Sequence, residues 1–244
     1  MKEKIVIYQV LPRLFGNRNT TRKENGSIEE NGCGKLNNFN DEVLARIHDM
    51  GFTHIWFTGV IRHATQTNYS SYGIPTQHAE VVKGKAGSPY AITDYYDIDP
   101  DLAVNVSLRM KEWESLIERT HKAGMKVIMD LVVNHTSDEH EWFQKSRRRI
   151  EPYTDYHIWR PARKNGKLPN NWDSHFEGKA WTYDEVRKEY YMHLFAVKQP
   201  DLNMDNPLVR EEVKKIMRFW LDMGVDGFRE DVITFISKKK GLPN

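Results

Sequence analysis

Residues 224–233 are the stretch with the clearest potential for chemistry, because an arginine and an aspartate stand two positions apart in an apolar segment. On a β-strand, side chains two positions apart share a face, so Arg229 and Asp231 would project together and Glu230 would point to the other side. A neighbouring guanidinium favours the ionised form of a carboxylate. An ionised carboxylate at a strand end could attack the anomeric carbon of a sugar, although such a triplet also forms purely structural ion pairs.

A second candidate lies at the end of an earlier apolar run, where residues 130–135 read Asp-Leu-Val-Val-Asn-His. The run ends in a carboxylate, an amide and an imidazole, which is typical of a strand end that contributes to a site. The alternative is that Asp130 hydrogen-bonds a loop and His135 lies on the surface. Neither segment by itself shows whether its polar residues belong to a functional site or make only structural contacts.

The elements that would position these groups are four short apolar runs rich in β-branched and aromatic residues. They span residues 5–11, 54–60, 126–133 and 225–232. Between them, apolar residues recur at helical spacing over residues 40–50, 107–123 and 207–221, and each of these segments is followed by a glycine. This alternation predicts a parallel sheet with right-handed crossovers, either open or closed into a barrel.

Composition limits the classes of partner. The 36 basic and 34 acidic side chains leave a formal charge of +2, which is too small for electrostatic binding to nucleic acid or to a membrane surface. A single cysteine, Cys33, excludes an intrachain disulfide framework. The first residues lack the apolar core of a signal peptide, so a cytoplasmic location is expected. The three lysines at 238–240 are interpreted as a solvated segment.

Together with Gln199-Pro-Asp-Leu-Asn between them, the two candidate segments resemble the α-amylase family of glycoside hydrolases, in the family's order. The resemblance implies a barrel of eight strands and helices with a domain inserted after strand three. We therefore expect an α/β fold, a partial (β/α)8 TIM barrel of the first four strand–helix units. Residues 1–133 and 199–244 would belong to the barrel, and residues 134–198 would form the inserted domain.

The same resemblance implies a role for each candidate residue. Asp231 matches the nucleophile that forms a covalent glycosyl-enzyme intermediate, and Arg229 matches its partner. His135 would hydrogen-bond the sugar at the scissile bond, and Asp130 would support the geometry of the site. Tyr90, in Ser-Pro-Tyr-Ala-Ile-Thr-Asp-Tyr, looks like the tyrosine that stacks beneath the same sugar, the alternative being a packed loop aromatic.

The resemblance changes along the chain. Residues 1 to about 135 look more like a bacterial α-amylase, and the residues from 136 onward look like the oligo-1,6-glucosidase branch, so a hybrid is an open interpretation. That branch usually has an aspartate three positions before the stacking tyrosine, where it anchors the terminal sugar, and this chain has Gly87 at that position. This difference weakens the case for an exo-acting glucosidase pocket.

The implied function is retaining hydrolysis of α-glucosidic bonds in starch, maltooligosaccharides or related α-glucans. The family's acid/base glutamate would lie past residue 244, so the 244-residue chain alone is expected to be inactive. The alternatives are a non-catalytic α-glucan-binding fragment, and a transglycosylase or sugar isomerase of the same family. The partner would be an α-glucan or oligosaccharide, and exposed half-barrel edges predict self-association.

Two further expectations concern a metal and particular side chains. Family members often bind calcium beside the residue that matches Asn134, but residues 15–35 lack alternating acidic ligands, so calcium stays open and no metal is assigned. Glu230 stands where the family has an apolar residue, and we expect a buried carboxylate that destabilises its strand. With no second sheet evident in residues 134–198, the tryptophans there are expected to be core residues.

Overall fold

The computed structural model of the protein describes residues 4–79, 82 and 84–238. The chain divides into two compact units, and each is described by itself. As far as their residues are described, the first comprises Met1–Pro89, Tyr95–Leu131 and Ile216–Arg229, and the second comprises Tyr90–Asp94, Val132–Lys215 and Glu230–Asn244.

The described residues form nine β-strands and five α-helices, several of them only a few residues long. In chain order the strands are β1 (Ile7–Val10), β2 (His54–Phe57), β3 (Ile61–His63), β4 (Ile92–Ile98), β5 (Lys126–Leu131), β6 (Trp159–Arg160), β7 (Trp181–Asp184), β8 (Glu189–Met192) and β9 (Gly227–Glu230). The α-helices are α1 (Ile28–Asn31), α2 (Asp41–Asp49), α3 (Arg109–Lys122), α4 (Glu141–Arg147) and α5 (Pro207–Asp222).

The main sheet has the strand order β1-β2-β5-β9, and β1 with β2 and β2 with β5 pair in parallel. These four strands lie within the four apolar runs, and α2, α3 and α5 lie within the segments of helical spacing, so the predicted elements are confirmed. The α/β class with a parallel sheet is therefore correct. Closure into part of a barrel and an inserted domain over residues 134–198 stay predictions.

Local signals in the sequence account for the helix ends. The Asn40 side chain accepts a hydrogen bond from the backbone N–H of Val43 at 2.9 Å and caps α2. Pro207 is the first residue of α5, where its missing N–H costs nothing. The amphipathic faces of these helices turn inward: Leu44 of α2 and Trp113 of α3 are fully buried.

The core of the first unit lies on the face of the sheet that the helices cover. Phe57 of β2 is fully buried, and its ring meets that of Trp113 edge-on with centroids 5.6 Å apart. Val127 and Met129 of β5 are buried as well. The pleat therefore commits alternate residues of β2 and β5 to the core, and the residues between them turn to the opposite face.

The second unit contains a small sheet that the sequence pattern did not reveal. Strands β6, β8 and β7 pair antiparallel in that order, so the expectation of no second sheet is wrong. Its strands are two to four residues long, too short for a periodic signal. Trp142, Trp159 and Trp181 are at most 7% exposed, which confirms their expected core role. Trp172 is half-buried and packs against a hydrophobic cluster that contains Trp181.

No helix among the described residues has the length and apolar character needed to cross a lipid bilayer.

Candidate active site

In the first unit, the carboxylate of Asp130 on β5 is held by groups from the two neighbouring strands, β2 with the residues that follow it and β9. Its Oδ1 accepts a hydrogen bond from the Trp56 indole N–H, and its Oδ2 accepts one from the backbone N–H of Gly59, both at 3.1 Å. Arg229 Nη1 lies 3.6 Å from Oδ1, and its guanidinium lies over the Trp56 ring, 5.2 Å from the centroid. Asp130 is thus a buried anion with donors on both oxygens.

The sheet register explains why these groups meet. Trp56 pairs with Ile128, so Trp56 and Asp130 occupy the face that turns away from the helices. Arg229 reaches the same carboxylate from β9, the strand next to β5. Two of the candidate residues, Asp130 and Arg229, are therefore brought together at this sheet face.

In the second unit, the His135 imidazole is enclosed by amide side chains. The Asn134 Nδ2 lies 3.0 Å from His135 Nδ1, and the Gln199 Nε2 lies 3.2 Å from His135 Nε2. His135 is 2% exposed, and its ring hydrogen-bonds to the backbone of Tyr90. The structure thus brings Tyr90 and His135 together, and the alternative that His135 lies on the surface is wrong.

Burial sets the protonation state of His135. The low dielectric of its surroundings, together with the Lys238 ammonium, lowers the pKa of His135 to about 3. An unfolded histidine takes up a proton near pH 6.5. From this residue the unfolding free energy therefore falls as pH drops from 6.5 towards 3, by up to about 1.4 kcal/mol per pH unit.

We expect the His135 ring to stay neutral at pH 5, and side-chain ¹⁵N NMR of the folded chain measures this directly. Exposed histidines in the same spectrum provide the control, because an ordinary imidazole titrates near pH 6.5. A His135 ring that is mostly protonated at pH 5 in the folded protein would contradict the buried, amide-enclosed geometry.

Lys238 is a residue of this site that sequence reasoning missed. Its side chain is 4% exposed, its Nζ donates to Asn134 Oδ1 at 2.6 Å, and it lies 3.3 Å from Asp201 Oδ2. The interpretation of residues 238–240 as solvated is therefore wrong at Lys238, and residues 239 and 240 lie outside the described residues. The sequence signal available for the burial of Lys238 was the mixed apolar and aromatic segment before it, not the run of lysines.

The residues beside Asn134 do not fit calcium. Calcium needs six to eight oxygen ligands, whereas here the oxygens of Asn134 and Asp201 already face the Lys238 ammonium. Burial raises the pKa of Asp201 to about 6, although Lys238 opposes that rise. Among the described residues, no group of three His, Cys, Asp or Glu side chains could hold a metal ion.

Asp231 follows β9 directly and is 7% exposed. The next residue, Val232, has φ +41° and ψ +40°, a left-handed conformation that a β-branched residue rarely adopts. Such strain clusters at functional sites, which makes Val232 a second feature that the sequence did not reveal. That Arg229 and Asp231 face each other stays a prediction.

Glu230 is exposed in the structure, so the expectation of a buried carboxylate there is wrong. A solvated carboxylate pays no desolvation cost, and the strand is not destabilised in that way.

An aromatic cluster extends from His135 to the surface of the second unit. The Phe195 ring lies 5.4 Å from the His135 ring and 5.6 Å from the Phe176 ring, centroid to centroid. His175 stacks on Phe195 from another side at 5.3 Å. Phe176 is 68% exposed, so an apolar ring is presented to solvent, and the Phe195 ring links it to the buried imidazole. Scattered single aromatics in the sequence gave no signal for this arrangement.

Comparison with known proteins places these features in a family. The chain is 43% identical over 243 residues to an oligo-1,6-glucosidase of Parageobacillus thermoglucosidasius, covering 98% of the chain and 36% of that protein. A solved trehalose-6-phosphate hydrolase of Bacillus licheniformis superposes with a TM-score of 0.77 at 36% identity, over 98% of this chain and 37% of that one.

A mutant isomaltulose synthase of Erwinia rhapontici NX5, solved in complex with its natural substrate sucrose, superposes with a TM-score of 0.74 at 34% identity. The match covers 98% of this chain and 36% of the synthase. The chain thus spans 36–37% of the length of the relatives it matches. The family description "Alpha amylase, catalytic domain" matches residues 9–244, and the chain therefore belongs to the α-amylase family.

Proposed function

We propose that the chain carries part of the catalytic machinery of a retaining hydrolase of α-glucosidic bonds in maltooligosaccharides, starch or related α-glucans. The observation that supports it most is the position of the strand-end carboxylate Asp130, which is held beside Arg229. Arg229 stands two residues before Asp231. The names of two relatives, an oligo-1,6-glucosidase and a trehalose-6-phosphate hydrolase, agree with hydrolysis. The isomaltulose synthase, solved with sucrose, agrees with a sugar substrate.

In the proposed reaction, the Asp231 carboxylate attacks the anomeric carbon and the glycosidic C–O bond breaks. The leaving oxygen takes a proton from an acid, and water then hydrolyses the glycosyl ester. Arg229 would support the charge at Asp231, and Asp130 would hold Arg229 in place. Neutral His135 and the Tyr90 ring would bind the sugar at the scissile bond.

The exposed Phe176 ring, linked to His135 through Phe195, supports a sugar as substrate. Sugars present apolar C–H faces that pack on aromatic rings, and Phe176 offers such a ring on a platform fixed by Phe195. We propose that this platform binds the part of the substrate that departs with the leaving oxygen.

Gly87 supports a substrate longer than a single terminal glucose. Its φ is +73°, and a Cβ at this position would lie 1.8 Å from the carbonyl oxygen of Ala64. An aspartate therefore cannot occupy this position without moving the backbone, and the terminal-sugar anchor of the glucosidase branch is not built here.

The test is the stereochemistry of cleavage by the intact protein on maltotriose, isomaltose and soluble starch. We expect the first product released to be the α-anomer, because two displacements restore the configuration at the anomeric carbon. Proton NMR at early times distinguishes the anomers. Initial β-anomer would contradict the retaining mechanism, because a single displacement inverts the anomeric carbon. Binding of these glucans with no product would contradict the proposal and favour the non-catalytic alternative. A dominance of transferred over free glucose would favour the transglycosylase or isomerase.

For residues 1–244 alone, we expect little or no turnover of the same glucans. Retaining hydrolysis needs a second carboxyl group about 5 to 5.5 Å from the nucleophile, and the candidate set contains none. Glu230 cannot supply it, because it is exposed and the strand alternation turns it away from Arg229. Product release measured by reducing-sugar assay decides the matter, and robust cleavage by the pure 244-residue chain would contradict the expectation.

A further inference from the structure

The first unit contains a cavity of about 600 Å³ that the candidate active site does not use. It is lined by eleven of the residues between 13 and 32, and by residues 66–68, 85–86 and Asp101. None of the five candidate site residues lines it. The volume lies in the range of small-molecule sites and is large enough for one or two sugar rings.

A buried ion pair forms one wall of this cavity. Asp101 is fully buried; it accepts hydrogen bonds from the Arg13 guanidinium and, at 2.6 Å, from the Tyr69 hydroxyl. Burial acts to raise the pKa of Asp101, but Arg13 and Tyr69 overcome it and the pKa lies below the ordinary value. The Arg13 side chain is still 20% exposed. The Arg13 guanidinium, fixed by Asp101 and still partly exposed, is suited to donating hydrogen bonds to sugar hydroxyls, because its N–H donors lie on one rigid plane.

The loop that forms most of the cavity is held rigid by its own asparagines. Asn17 Nδ2 donates to the backbone oxygen of Asn31 at 3.0 Å, and Asn19 Nδ2 donates to that of Glu30 at 3.0 Å. Asn31 in turn bonds the backbone N–H and carbonyl of Lys23, both at 2.8 Å. A wall ordered before the ligand arrives loses little entropy on binding.

Two cations contribute to the lining and have no ion-pair partner among the described residues. Arg22 and Lys85 are both exposed. Glu29 also lines the cavity, so with the Arg13–Asp101 pair neutral the lining carries one net positive charge. Arginine and lysine are the side chains that bind phosphate most readily.

We propose that this cavity binds a phosphorylated sugar, with the phosphate at Arg22 and Lys85 and the ring hydroxyls towards the Arg13 guanidinium. The site is separate from the proposed hydrolytic residues, so it holds or fails independently of the proposed function.

The test is isothermal titration of the 244-residue chain with glucose 6-phosphate, glucose and inorganic phosphate. We expect glucose 6-phosphate to bind at least about 10-fold more tightly than either component, because each half adds at least about 1.4 kcal/mol to the other. The double variant Arg22→Gln/Lys85→Gln is expected to lose at least about 10-fold in affinity, since two charge-assisted contacts disappear.

Three controls make the result specific. Arg18→Gln/Lys111→Gln removes two exposed cations outside the cavity lining and is expected to leave binding unchanged. Asp231→Asn is also expected to leave it unchanged, which separates this site from the proposed active site. The thermal midpoint of each variant reports that it is folded.

Equal affinity for inorganic phosphate would overturn the proposal in favour of a simple anion site, and equal affinity for glucose would remove the role of the phosphate. No binding of glucose 6-phosphate in the millimolar range, or full binding by the Arg22/Lys85 double variant, would also overturn it.

Discussion

Replacement of Asp231 by asparagine is expected to lower glucan cleavage by the intact protein by at least about 10⁴-fold, the scale seen when a nucleophile is removed. Asparagine keeps the shape and burial of the side chain but cannot form the glycosyl ester. The loss should appear in kcat rather than in substrate affinity, because the amide still packs in the same place. Initial rates and glucan binding, measured separately, distinguish these effects.

The neighbouring carboxylate offers a matched control. Glu230→Gln makes the same chemical change one position earlier, on an exposed side chain, and is expected to leave the rate within about threefold, less than 1 kcal/mol in barrier height. A fluorinated glucosyl fluoride, which needs no acid for its leaving group, should label the intact protein on the peptide that contains Asp231. An Asp231→Asn variant that keeps more than a hundredth of the rate would contradict the assignment.

The largest expected effect on stability is that of Lys238→Met. The change keeps the length of the side chain but removes the cation that faces Asn134 Oδ1 and Asp201 Oδ2. Asp201 is fully buried, and removal of one partner of a buried ion pair typically costs about 3–5 kcal/mol. We expect a loss of this size in the free energy of unfolding, measured with urea.

The pH dependence of that loss identifies its cause. Burial already raises the pKa of Asp201 to about 6 in the presence of Lys238, and without the ammonium the carboxyl takes up a proton more readily. A protonated Asp201 needs no cation, so the deficit should be largest above pH 6 and smaller at pH 5. A deficit that is uniform across this range would indicate lost packing instead.

Lys179→Met is the control for this experiment. Lys179 lies in the same unit and pairs with Asp173 at 2.5 Å, but its side chain is 52% exposed. Exposed ion pairs contribute little, so we expect its loss to stay within about 1 kcal/mol. Equal losses for Lys238→Met and Lys179→Met would argue against a buried cation at 238.

The sequence was sufficient for the elements of the main sheet. The four apolar runs are short but rich in β-branched and aromatic residues, and the three helical segments are periodic because burial of one face enforces that period in the folded chain. The capping residue Asn40 and the helix-starting Pro207 further fixed the ends of two helices. For these segments, the local sequence signals and the burial in the folded chain therefore indicate the same secondary structure.

Long-range contacts were not predictable in the same way. Lys238 meets Asn134 from 104 positions away, and nothing in a run of lysines distinguishes the buried one. The burial of His135 depends on Gln199, 64 positions later. Glu230 was misjudged for the converse reason, since alternation along a strand does not tell whether anything covers the second face.

The contact between Gly87 and the Ala64 carbonyl has a consequence for redesign of specificity. Because a side chain at position 87 meets backbone rather than a movable side chain, a terminal-sugar anchor cannot be introduced by point mutation. The Ala64 strand end and the residues around Gly87 would have to be exchanged together as one segment. Natural or laboratory recombination that transfers whole loops, rather than stepwise substitution, is thus the accessible route to a side chain at this position.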